Sequence, residues 1–144
     1  MILLDTSVVI ARYREDHPHH SVVTPWLERT IGGEEQFAVP DVVWASFVRV
    51  VTHHRIFPIP SSAEHAFAFL LAMRSYPNHV AIVPEEGHLA LFEDLCRRFD
   101  VAGDLVPDAY LAAIALEQGC SLASLDRDFA RFTGLDWVVP GSTG

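Results

Sequence analysis

The sequence predicts an α/β fold in which helices cover both faces of a central parallel sheet. Short apolar segments alternate along the chain with longer segments of helical character, which is the pattern of βαβ units. The length of 144 residues fits one domain on a prior of roughly 100–200 residues each, so we expect residues 1–144 to form a single domain. Half of the residues are hydrophobic and a fifth are charged, a composition that excludes a disordered chain.

The first half of the chain predicts two strands among four helices. Residues 2–4 form an apolar run that ends at Asp5, which indicates a buried strand with an acid at its carboxyl end. Residues 41–54 are rich in valine, but their number and their polar positions favour a helix over a strand. Residues 36–39 are the second strand, and the predicted helices are residues 8–13, 21–30, 41–54 and 63–73.

The second half of the chain predicts three strands that alternate with three helices. Residues 106–118 are apolar nearly all round, so the helix that they form must be buried on most sides. Gly119 suits the position just after the end of this helix. Residues 85–99 predict an amphipathic helix, and residues 127–132 a short one. The predicted strands are residues 79–83, 120–125 and 135–139.

The charge and the cysteine content exclude several classes of protein. Nineteen acidic residues against ten basic ones give a net charge of −9, which argues against nucleic-acid binding by bulk attraction. All ten basic residues are arginine, so a Schiff-base lysine or a P-loop lysine is excluded. Cys96 and Cys120 are too few for a disulfide framework. No targeting segment and no apolar run near the ~20 residues of a membrane span are visible, so we expect a soluble cytoplasmic protein.

Three aspartates occupy junctions between predicted elements, where the functional site of an open parallel sheet is expected. Asp5 and Asp126 each end a strand, and Asp108 opens the buried helix. Carboxylates gathered at one edge of a sheet repel one another unless a cation joins them, and Mg²⁺ prefers oxygen ligands. An ion held in this way can orient a phosphodiester and activate water. The alternative role for each aspartate is a helix cap that accepts unpaired N–H groups.

Three stretches of the sequence carry a resemblance to a known family. The stretches LLDTS at residues 3–7, DAYLAAIA at 108–115 and LDRDF at 125–129 resemble, in this order, the three motifs of the PIN domain. They are most similar to those of the VapC-type ribonuclease toxins, and the resemblance spans essentially the whole chain. It implies a three-layer α/β/α sandwich with a central parallel sheet. It also implies Mg²⁺- or Mn²⁺-dependent endoribonuclease activity on an RNA such as a tRNA or rRNA.

The same resemblance implies site residues and partners. By this match Asp5, Asp108 and Asp126 are the catalytic, metal-binding acids, and Asp128 holds a position that is acidic in many family members. The implied partner is a small VapB-type antitoxin that blocks the site. We also expect a homodimer.

The sequence departs from the family pattern at one position. Many PIN domains carry a glutamate where this chain has Ser46, three residues before Arg49. Since a serine supplies no negative charge, the site either works with three acids or takes Asp104 as a fourth. Thr6 and Ser124 flank the acids and either orient water or phosphate or serve as caps. The missing glutamate leaves a second function open, a catalytically silent PIN-fold module that binds RNA or protein.

Some basic and aromatic residues near these acids have two alternative roles. Arg127 and Arg131 can contact RNA phosphates or pair with Asp128, and we favour the exposed or paired role for any single arginine. The tryptophans are expected in the core or at an interface rather than as platforms for base stacking, and they are Trp26, Trp44 and Trp137.

Overall fold

A parallel sheet of four strands lies at the centre of the computed structural model, which describes residues 1–142 of the chain. The strands are β1 (Ile2–Leu4), β2 (Phe37–Ala38), β3 (Ser121–Ala123) and β4 (Trp137–Val138). They lie in the order β2-β1-β3-β4, and all three pairings are parallel. The central strand β1 is fully buried at Leu3 and Leu4. The predicted α/β fold with a parallel sheet is therefore confirmed.

Two groups of helices pack around this sheet. Within residues 1–142 the helices are α1 (Thr6–Tyr13), α2 (His20–Ile31), α3 (Asp41–Val51), α4 (Ala63–Arg74), α5 (His88–Arg98) and α6 (Val106–Gln118), with 3-10 turns at Gly103–Leu105 and Arg127–Arg131. In one group α1 packs against α2 and α3, and α3 packs against α4. In the other, α5 packs against α6, which contacts β3. None of these helices has the length and apolar character that crossing a membrane requires.

The burial of α6 follows from its sequence. The side chains of Ala109 and of residues 111–115 are all buried. Four of these six residues are alanine, and their short side chains let the helix approach α5 and β3 closely. Gly119 ends α6 with φ of 65°, in the left-handed region that favours glycine. Asp108 lies in the first turn of this tightly packed helix, so its backbone position is fixed.

The predicted strand at residues 79–83 is wrong. This segment makes a single bridge to the sheet, between His79 and Phe37, and the Val80 amide donates to the Phe37 carbonyl at 2.9 Å. The neighbouring edge strand β2 has only two residues and is followed closely by Pro40, which has no amide hydrogen to donate. The sheet edge is therefore too short for a ladder. The other predicted elements are present, with ends that differ by at most three residues.

Candidate metal centre

The three aspartates at element junctions lie around one cleft at the carboxyl edge of the sheet. Asp5 follows β1, Asp108 lies in the first turn of α6, and Asp126 follows β3 as the N-cap of the 3-10 turn Arg127–Arg131. All three line a cleft of about 330 Å³. Parallel strands direct their carboxyl ends to one edge, so residues far apart in the sequence meet there. The predicted convergence of these acids is therefore observed.

A tighter group of acids lies within this region. Asp108, Asp126 and Asp128 each offer one carboxylate oxygen, and these oxygens all lie within 4.8 Å of one another. Ligands of one hard cation lie about 2.0–2.6 Å from it, so two of them are separated by at most about twice that distance. The spacing therefore suits three oxygens bound to one divalent ion. Asp128, whose position is acidic in many members of the family that the sequence resembles, belongs to this group.

Two serine hydroxyls hold the carboxyl group of Asp5. Ser124 Oγ donates to Asp5 Oδ2 at 2.6 Å, and Ser7 Oγ donates to the same oxygen at 2.9 Å. Ser124 Oγ accepts from the Asp126 amide at 2.9 Å, and Ser7 Oγ accepts from the Leu125 amide at 3.0 Å. The end of β1 is thus tied to the segment after β3, and Asp5 has a fixed orientation toward the cleft.

The negative charges of the carboxylates in the cleft are not balanced by nearby positive charges. Burial, together with the negative charges of Asp126, Asp5 and Asp128, raises the pKa of Asp108 to about 7. Burial also raises the pKa of Asp5, although its hydrogen bonds from Ser124 and Ser7 oppose the shift. The nearby cation is Arg131, whose Nη2 lies 3.6 Å from Asp128 Oδ1. A bound cation would favour the ionised form of every carboxyl group in the cleft.

The capping role considered for the aspartates is only partly observed. Asp126 Oδ1 accepts from the Asp128 amide at 2.9 Å, which caps the 3-10 turn. Asp5 occupies the N-cap position of α1, but it makes no side-chain capping hydrogen bond there. Capping therefore accounts for one oxygen of Asp126 and does not account for the position of Asp5.

The remaining predicted site residues divide between the cleft and the surface. Thr6 and Ser46 line the cleft, and Ser124 lies in the hydrogen-bond network of Asp5. Asp104 lies in the exposed 3-10 turn Gly103–Leu105. Among residues 1–142 it belongs neither to those lining the cleft nor to the acid cluster. Asp104 is therefore not brought to the place where a fourth acid is missing.

Ser7 is a site residue that the sequence alone did not reveal. Its hydroxyl bonds to Asp5, two residues away, and approaches Ser124 Oγ at 3.3 Å across 117 positions of sequence. The short spacing to Asp5 is a visible signal, because serine and aspartate often bond locally in turns. The long-range contact with Ser124 depends on the pairing of β1 with β3, which no local pattern indicates.

Known proteins match nearly the whole chain. The family model for the PIN domain matches residues 2–135. The chain is 47% identical over 140 residues to Ribonuclease VapC25 and 48% identical over 140 residues to Ribonuclease VapC31, both of Mycobacterium tuberculosis. Each alignment covers 97% of this chain and 99% of the relative. The crystal structure of VapBC2 from Rickettsia felis bound to a promoter DNA fragment has the same fold, with a TM-score of 0.73, 17% identity, and coverage of 97% of this chain and 99% of that one.

Proposed function

We propose a function from the premise that this chain belongs to the PIN domain family and, within it, to the VapC ribonucleases. The protein is a metal-dependent endoribonuclease that hydrolyses phosphodiester bonds in RNA. The observation that carries this proposal is the set of acids at the cleft: Asp5, Asp108 and Asp126 line it, and Asp128 lies close to Asp108 and Asp126. We propose residues 1–144 as one catalytic domain.

The residues of the cluster fit a hard divalent cation. All three ligand atoms are carboxylate oxygens, which suit Mg²⁺ or Mn²⁺ better than a softer metal. Asp108, Asp126 and Asp128 would hold the ion, with Asp5 bound directly or through water. When bound, such an ion stabilises negative charge on a phosphodiester and makes water a better nucleophile.

The protein's own groups orient the acids and the substrate. Ser7 and Ser124 hold the Asp5 carboxyl group through Oδ2, so its orientation is set before substrate enters. Asp108, with its pKa of about 7, exchanges a proton near neutral pH in the metal-free protein, and cation binding would favour its ionised form. Thr6 and Ser46 present hydroxyl groups in the cleft, where they can bind phosphate oxygens or water.

The catalytically silent alternative is not favoured. A catalytically silent module would not need carboxylates close enough to raise one another's pKa. In this cleft the negative charges of Asp5, Asp126 and Asp128 all raise the pKa of Asp108. The relatives at 47% and 48% identity are named ribonucleases. Ser46 in place of glutamate changes the number of acids but leaves the cluster of three complete.

The charge of the site indicates how a partner would inhibit it. A VapB-type antitoxin would block the cleft by placing a cationic side chain among its acids, since the surroundings are strongly negative. We also propose a homodimer, for which Phe67 and Leu71 on α4, 50% and 64% exposed, supply apolar surface. A cytoplasmic location completes the proposal, because the RNA substrate lies there.

Cleavage of RNA with and without metal tests the proposed function. We expect the purified protein to cut RNA in Mg²⁺ or Mn²⁺ and to stop in EDTA. Asp5→Asn removes a charge while preserving the shape of the side chain, and should abolish the activity. Asp94→Asn is the matched control, because Asp94 carries the same group on α5, paired with Arg97 and Arg98. Equal cleavage in EDTA, or full activity of Asp5→Asn, would contradict the metal mechanism.

A further inference from the structure

A second cleft is lined by the two residues that flank Asp126 in the chain. It has a volume of about 710 Å³, which is within the range of sites for small organic ligands. It lies between the start of α2, the segment that follows β3, and the end of β4. Its walls include His19, Val22, Leu125, Arg127, Trp137 and Pro140. The lining is mainly apolar and aromatic, with Arg127 and His19 as its polar groups.

The two clefts share one short segment of chain. Leu125 and Arg127 line the second cleft, and Asp126, which lies between them, lines the acid cleft. Neighbouring Cα atoms are about 3.8 Å apart, so a phosphodiester held at Asp126 has its adjoining nucleotide within reach of the second cleft.

The aromatic wall of this cleft is fixed by the same serine that holds Asp5. Trp137 Nε1 donates to the Ser124 carbonyl at 3.1 Å, while the Ser124 hydroxyl donates to Asp5. The indole ring is half-buried and its polar atom is already bonded, so the ring is left to make apolar contacts. Aromatic rings of this kind bind nucleobases by stacking, without regard to base identity.

Arg127 adds a positive charge to this apolar site. It is exposed and forms no ion pair within residues 1–142, whereas Arg131, one helical turn later, is paired with Asp128. In a chain of net charge −9, an unpaired arginine between an acidic cleft and an aromatic wall has the chemistry of a phosphate contact. The aromatic face of Trp137, the apolar walls and the positive charge of Arg127 together suit the binding of one nucleotide of single-stranded RNA.

We propose that this second cleft binds the base of the nucleotide next to the scissile phosphate, with Trp137 as the stacking face and Arg127 on the adjoining phosphate. This inference rests on the proposed ribonuclease function. It also changes the role expected from the sequence for Trp137, which was a core or interface position. The cleft would hold the substrate in register with the acids, and it would make cleavage depend on an unpaired base.

Cleavage of two matched RNAs, one intact and one with a missing base, tests the base site. A cleaved position is first mapped in a mixed-sequence RNA with Mn²⁺, and short RNAs spanning it are then made intact or with one abasic nucleotide on either side of the scissile bond. We expect wild-type kcat/KM to fall about tenfold when the base on one side is missing, the loss expected for one stacked base. Trp137→Leu should lower kcat/KM on the intact RNA about tenfold, mainly by raising KM, and should no longer distinguish the intact RNA from the abasic one.

Two further variants guard against a misfolded Trp137→Leu. Ala130→Leu fills the cleft from an exposed position and should also remove the discrimination between intact and abasic RNA. Arg29→Gln is the control for Arg127→Gln, since Arg29 lies in the last turn of α2, about 10 Å along the helix from Val22 in the wall of the cleft. Arg127→Gln should raise KM several-fold, and Arg29→Gln should not.

The outcomes separate this inference from the function on which it rests. A wild-type protein that cuts no RNA with Mn²⁺ overturns the proposed function and the base site with it. A wild-type protein that cuts intact and abasic RNA equally well overturns the base site alone. The base site alone is also overturned if Ala130→Leu still distinguishes intact from abasic RNA. It is overturned too if Ala130→Leu leaves RNA cleavage unchanged and weakens only the binding of a protein partner.

Discussion

Acidic side chains occupy two contrasting regions of this molecule. On α5, Asp94 lies 3.1 Å from both Arg97 and Arg98, and Glu93 lies 3.3 Å from Arg97. At the carboxyl edge of the sheet, the oxygens of Asp108, Asp126 and Asp128 approach one another within 4.8 Å, and their ion pair is the longer one of Asp128 with Arg131. The acids of α5 carry their counter-charges on the same helix, whereas those of the cleft are left for a ligand to neutralise.

The difference shows how each region arises from the sequence. The pairs on α5 follow from spacings of three and four residues on one helix. The cleft acids come from separate elements, and Asp5 lies more than a hundred positions before Asp108 and Asp126. The pairing of β1 with β3 brings the two ends of the chain together at this edge. Uncompensated like charges lower the stability of the folded chain, and such sites persist where function requires them.

Asp108→Asn should give the largest effect that separates the two regions. We expect metal-dependent RNA cleavage to fall at least about a hundredfold, because the ion contributes several kcal/mol to the transition state. Asp94→Asn, the same chemical change on α5, should alter cleavage less than about twofold. Initial rates at saturating Mn²⁺ measure both. Similar losses in the two variants would remove the distinction between the regions.

Stabilisation of the protein by metal should depend on the acids of the cleft and not on the ion pairs of α5. At about 100 times its Kd an ion adds about 2.7 kcal/mol to the free energy of unfolding, or about 5–10 °C in Tm for a chain of this size. Thermal unfolding with and without Mn²⁺ should show this rise in the wild type and in Asp94→Asn. A rise of equal size in Asp108→Asn would place the ion elsewhere.

Ser46→Glu should increase the affinity of the cleft for metal. Ser46 lines the cleft, so an added carboxylate can reach the ion, and we expect Mn²⁺ to bind about tenfold more tightly. Asp104→Asn should leave the titration curve unchanged, because Asp104 lies in an exposed turn outside the cleft. Weaker binding in Asp104→Asn would return Asp104 to the site.

The stability of the metal-free protein should fall as the pH rises. The pKa of Asp108 is raised to about 7 in the folded protein by burial and by the neighbouring acids, against about 3.9 in an unfolded chain. The folded state therefore binds this proton more tightly, and the stability that it contributes is complete below about pH 4 and lost as the pH passes 7. Urea unfolding at pH 5 and pH 8 in EDTA measures the decrease, which Asp108→Asn should reduce. An equal decrease in the variant would assign it to other groups.

The smallest effect is expected for the acids of α5. Asp94→Asn should lower the free energy of unfolding by about 0.3–0.5 kcal/mol for each exposed pair at low salt. The cost should shrink in 1 M NaCl, where exposed charges are screened. Urea unfolding at two salt concentrations tests this. A cost that is independent of salt would mean that Asp94 stabilises the helix by packing.

The sequence predicted those parts of the fold and site that depend on local pattern. The helix α6 was predicted with its observed ends because its apolar run and Gly119 are local signals. The strand at residues 79–83 was wrong because a ladder depends on its neighbour, and β2 is too short to provide one. Likewise, the hydroxyl of Ser7 reaches Ser124 only after β1 and β3 have paired.

The placement of β1 between β2 and β3 has a consequence for the order of synthesis. Asp5 is synthesised before the Ser124 hydroxyl that orients it, which lies 119 positions later, and before Asp108, Asp126 and Asp128. Chains emerge from the amino end first, so a nascent chain that has not reached Asp108 holds Asp5 but lacks the other three acids of the site. Such a nascent chain has no complete metal site, so metal-dependent cleavage can begin only after the segment up to Asp128 has been made and β1 has paired with β3.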